Sequence, residues 1–96
     1  MDLSAFKESL KNDQPPAGIG NLLTALWHEG KKDWEKAHDT IQDGEDRESA
    51  WIHAYLHRKE GDPGNAGYWY RRAGQKMPSC PLEQEWEELV RHFLVP

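Results

Sequence analysis

The chain reads as all-α, a single domain over residues 1–96 with six helices and no strand. Three observations carry that reading. Apolar residues recur at three- and four-residue spacing in one stretch after another, which is the period of a helix face. Helix stops and starts stand side by side, most densely in Gly61-Asp62-Pro63. Ala66, Trp69 and Ala73 form a small-aromatic-small stripe, the pattern of two helices that meet closely.

The first helix covers about Leu3 to Lys11, with Leu3, Phe6 and Leu10 on one side. Pro15-Pro16 and the turn-forming residues around them end it. Asn21 is placed to cap a second helix, which carries Leu22, Leu23, Leu26 and Trp27 and stops at Gly30. Asp33 caps a third, with Trp34, Ala37, His38 and Ile41 at i, i+3, i+4 and i+7. Asp43-Gly44-Glu45-Asp46 is a turn followed by an acidic helix entry, favourable to the dipole.

The fourth helix, about Arg47 to Glu60, leaves almost no polar arc, because Ala50, Trp51, Ile52, Ala54, Tyr55 and Leu56 crowd it. A helix apolar most of the way round is buried on several sides, so this one is expected at the centre. Gly61 stops it, since glycine enters the left-handed conformation without a Cβ penalty. Asp62 caps the fifth helix and Pro63 sits at its first position, where a missing N–H costs nothing. Met77 to Pro81 is a linker. Pro81 opens the sixth helix, with Leu82, Trp86, Leu89, Val90 and Phe93 inside and Glu83, Glu85, Glu87 and Glu88 outside.

Composition bounds the function. Apolar residues make up 36% and the mean hydropathy is −0.97, so five tryptophans, one on each of the second to sixth helices, must supply much of the core. The net charge of −5 with scattered basic residues excludes nucleic acid as a natural partner. Cys80 is alone, which fits a reducing, cytoplasmic home. No segment approaches the roughly 20 apolar residues of a membrane span, and no membrane partner is expected.

Shifting the chain by 29 residues lays Ala25 on Ala54, His28 on His57, Asp33 on Asp62 and Ala37 on Ala66. The region Gly61 to Gly74 resembles Sel1-like and tetratricopeptide helical-hairpin repeats. In Sel1-like units a glycine-aspartate turn precedes a helix with an alanine, a Trp-Tyr pair, a basic residue and further alanines. Gly61, Asp62, Ala66, Trp69, Tyr70, Arg71 and Ala73 stand in those places here. The earlier copy departs from the pattern, with Ile41-Gln42 in place of Trp-Tyr. What the resemblance implies is a stack of antiparallel helical hairpins serving as a protein-binding scaffold.

Ser49, His53, His57 and Glu60 share one face of the fourth helix. The plain reading makes them its one solvated edge. Two imidazoles one turn apart can also bind a divalent ion, with Glu60 or His28 completing the shell. Ala54 follows His53 where a metalloprotease helix needs glutamate, so that chemistry is excluded. Tyr68, Arg71 and Arg72 can clamp a carboxylate or phosphate, or pair with Glu60 or the acidic sixth helix. His38 reads as a satisfied core histidine and His92 as a solvated one. No Ser-His-Asp arrangement can be placed, and Cys80 lies in a proline-flanked linker without an activating base.

These residues together read as a small interaction module rather than an enzyme. A protein or peptide segment would lie in a groove floored by the fourth helix. Trp51 or Tyr55 would anchor it, with His28, His53, His57, Glu60, Arg71 and Arg72 as polar contacts. No resident metal, cofactor or catalytic residue is assigned. The alternative is a metal- or small-anion-binding protein or enzyme using the His53/His57/Glu60 stripe. Surplus aromatic surface also allows a homodimer.

Overall fold

Four of the six helices begin on an aspartate. In the computed structural model, which describes residues 1–94, Asp2 caps α1 (Leu3–Ser9), Asp33 caps α3 (Trp34–Ile41), Asp46 caps α4 (Arg47–Glu60) and Asp62 caps α5 (Pro63–Ala73). Each carboxylate accepts the backbone N–H three residues on, satisfying a donor that the first turn leaves free. α6 (Leu82–Leu94) follows Pro81, whose carbonyl accepts from the N–H groups of Gln84 and Glu85. The described residues contain no strand.

α2 (Gly20–Gly30) starts differently from the expectation. Its cap position is Ile19, without a side-chain bond, and Asn21 lies inside the first turn. Gly18, at φ 75°, turns the chain early enough that the helix begins ahead of Asn21. α1 is also shorter than expected, because tight turns from Leu10, Lys11 and Asn12 back to Lys7, Glu8 and Ser9 replace its last residues.

α4 occupies the centre. It touches α2, α3, α5 and α6, and every residue from Ile52 to Leu56 is buried. The most extensive pairings are α4 with α5 and α2 with α3. Ala54 and Ala66 are both fully buried at the first of these, where small side chains let two backbones approach. The main core joins Phe6, Leu26, Trp27, Ile41, Ile52, Leu56, Trp86, Leu89 and Val90. Gly30 lies at its edge, where an added Cβ would stand 2.9 Å from a Leu10 methyl and 3.0 Å from the Trp86 ring. The radius of gyration, 12.4 Å, is that of a compact chain of this length, for which about 12.5 Å is expected.

Glu85 does not face solvent as its charge suggests. It is 2% exposed, accepts from Arg58 Nη1 at 2.9 Å, and receives the Tyr70 hydroxyl at 2.8 and 2.6 Å on its two oxygens. A carboxylate can enter a core only where charge and donors meet it, and α4 and α5 supply both. Arg58 also donates to the Cys80 carbonyl, tying the Met77–Pro81 linker to α4. No helix among the described residues is long and apolar enough to cross a membrane.

Candidate metal centre

α3, α4 and α5 bring three histidines and two tryptophans together. Trp34 and His38 are one turn apart on α3, so their rings stack, with centroids 5.0 Å apart and planes at 11°. His53 and His57 are one turn apart on α4, with rings parallel within 6° at 5.6 Å. Trp69 reaches from α5 and stacks on His53 at 4.1 Å, while the Arg72 guanidinium lies 5.0 Å over the indole. The Trp34 indole N–H donates to the Leu56 carbonyl at 2.7 Å and fixes α3 on α4.

The imidazoles converge. Nε2 of His38 lies 3.0 Å from Nε2 of His53, close enough that one nitrogen donates and the other accepts. One ligand nitrogen from each of His38, His53 and His57 lies within 4.8 Å of the other two. His57 Nδ1 meets Glu60 Oε2 at 2.5 Å, with the Asn65 side-chain nitrogen at 3.5 Å. The carboxylate contact selects the tautomer with its proton on Nδ1, which leaves the Nε2 lone pair free. Nδ1 of His53 is buried without any partner.

Only at Glu60, which is exposed, is this stripe a solvated edge. Ser49 is 5% exposed, His53 3% and His57 8%. The middle of α4 is apolar on its other sides, and α3 and α5 close over the histidine face as well. Burial above all, then the fields of His38, His57 and Arg72, pushes the His53 pKa down to about 4. His53 is therefore a neutral base at physiological pH, the state a metal requires.

Two nitrogens on one tetrahedral zinc, each about 2.0–2.1 Å from it, lie about 3.3 Å apart. The 3.0 Å spacing of His38 and His53 is a few tenths of an ångström from that. Three protein ligands leave one position of a tetrahedral ion open for water or another small ligand. Glu60 on the far nitrogen of His57 is the outer partner that orients a metal-bound imidazole. A second group, His57, Glu60 and Asp62, also gathers within 4.8 Å but is exposed on its acidic side, and Asp62 is occupied as the α5 cap.

His38 is the member that sequence reasoning set aside as a core residue. Its signal was the Trp34–His38 spacing, which puts the imidazole on the α3 face that carries Ala37 and Ile41 toward α4. His28, offered as a completing ligand, belongs to neither group; it lies edge-on to Trp27 at 5.4 Å, and burial lowers its pKa. Tyr55 is 2% exposed and its hydroxyl pKa is raised by burial. Trp51 is half-buried against His92 and Phe93, at 5.2 and 6.2 Å. Arg71 and Arg72 are exposed and form no ion pair among the described residues; it is Arg58 that pairs with α6.

The likeness to Sel1-like repeats rests on the residues quoted for it. The chain matches no family model, and no curated protein or solved structure shows a significant similarity to it.

Proposed function

We propose that this protein binds one divalent transition-metal ion, with His38, His53 and His57 as its ligands. The observation that carries the reading is the 3.0 Å approach of two imidazole nitrogens, with a third histidine within 4.8 Å and held by a carboxylate. Imidazole nitrogen favours zinc, nickel, copper and iron over magnesium or calcium, so the ion belongs to the first group. Protein dialysed against excess zinc and then freed of unbound metal should retain one equivalent by elemental analysis. His38→Ala and His53→Ala should each lose most of it while keeping the helical circular dichroism. Wild-type protein that retains no stoichiometric metal would refute the proposal.

A protein- or peptide-binding role is the second reading, and the outer face of α5 favours it. Tyr68 is 47% exposed, and Arg72 lies 5.9 Å over its ring. Beside Arg71 this makes a basic, aromatic edge on an acidic chain, suited to an acidic partner segment. A labelled Asp/Glu-rich peptide bound by wild-type protein and released by the Arg71→Ala, Arg72→Ala variant supports it. No binding by the wild type removes it.

A further inference from the structure

A cleft of about 500 Å³ opens among α1, α2, α4 and α6 and shares no residue with the histidine cluster. Its size is in the range of small-molecule sites. Glu29 lines it and is 2% exposed. The carboxylate belongs to the last turn of α2, where the negative end of the helix dipole disfavours it. The Lys59 ammonium takes Oε1, and Oε2 is buried with no hydrogen-bond partner. Burial lowers the pKa of Lys59, so the lysine is also in an unfavourable place. A hydrophobic pair would serve stability better than this half-satisfied one. The orphan oxygen calls for a second donor, and the cleft is where one can enter.

The surroundings define the donor's other features. Leu10, Leu82 and Trp86 supply apolar wall. Lys7 is paired with Glu87 and Lys59 with Glu29, whereas Lys32 makes no ion pair among the described residues. Counting Glu87 with its partner, Lys7, Lys32 and Lys59 balance Glu29, Glu83 and Glu87, so a ligand without net charge fits the rim.

We propose that the cleft binds a free α-amino acid with an apolar side chain. Its ammonium donates to Glu29 Oε2, its carboxylate faces the Lys32 ammonium, and its side chain lies on Leu10, Leu82 and Trp86. Lys59, with 36% of its side chain exposed, is the flexible cover that shifts to admit the ammonium.

The test is a titration of the whole chain, followed by amide NMR, with L-leucine, N-acetyl-L-leucine and isoamylamine. Leucine should shift the resonances of Glu29, Lys32 and Trp86 saturably. N-acetyl-leucine, which lacks the ammonium, should bind about tenfold more weakly or worse. Lys32→Gln should weaken leucine several-fold and leave isoamylamine unchanged. Glu29→Gln should lose leucine binding yet keep or raise the thermal midpoint, because Lys59 can turn to solvent once the buried charge is gone. A purely structural Glu29 gives the opposite pair, a lowered midpoint and a wild-type spectrum indifferent to leucine. Should Glu29→Gln fail to fold, the acetylated ligand and Lys32→Gln still decide. Equal binding of leucine and N-acetyl-leucine, or no response to leucine, phenylalanine or methionine, overturns the proposal.

Discussion

His53 concentrates the chemistry of this molecule in one side chain. It is buried, bonded through one nitrogen to His38, and held neutral down to about pH 4. An unfolded histidine takes its proton near 6.5, so between pH 6.5 and 4 the unfolded chain binds a proton that the folded chain refuses. The metal-free protein is therefore at full strength, for this group, above pH 6.5 and loses stability as the pH falls to 4. The loss is about 3 kcal/mol at most. Urea midpoints measured at pH 7 and pH 5 should fall accordingly, and His53→Gln should flatten that slope. Glu60 tests the outer contact: Glu60→Gln should weaken zinc about 10- to 100-fold without unfolding the chain. At this scale the sequence was partly legible. The i, i+4 spacing showed His53 and His57 on one face. It could not show that His38 meets them, nor that Glu29 and Glu85 are buried, because each depends on which neighbouring helix closes over it.

Helix boundaries were the most legible feature, since they rest on local chemistry. Asp33 and Asp62 cap where the sequence places them, Asp46 caps the acidic entry of α4, Asp2 adds a cap that the sequence reading does not name, and Gly61 ends α4 at φ 87°. Asn21 misled because the residue type permits a cap but the preceding glycine turn decides where the helix starts. Gly61 gives a clean test of a backbone effect, for a Cβ there meets nothing within 4 Å. Gly61→Ala should cost about 1 kcal/mol through the left-handed conformation alone, read as a lower denaturant midpoint with an unchanged slope. An unchanged midpoint would mean that the α4–α5 turn is not held in that conformation.

Six helices with α4 at the centre followed from periodicity and composition, and the structure has that arrangement, with α2, α3, α5 and α6 packed against α4. The solvated edge assigned to α4 was the main error. Its residue pattern suggests a face toward water, whereas Trp34 and His38 of α3 and Trp69 of α5 cover its histidines and leave only Glu60 exposed. A stripe of histidines between tryptophans carries the same pattern whether it faces solvent or a neighbouring helix. Only the packing of the whole molecule distinguishes the two, and here that packing turns a surface edge into an enclosed imidazole cluster. Imidazole ¹H–¹⁵N spectra recorded as zinc is added test that cluster directly. The ring nitrogens of His38, His53 and His57 should move together and saturate at one equivalent, with His28 and His92 unmoved. Zinc that leaves those three unshifted, or that shifts His28 and His92 instead, would contradict a metal centre between α3 and α4.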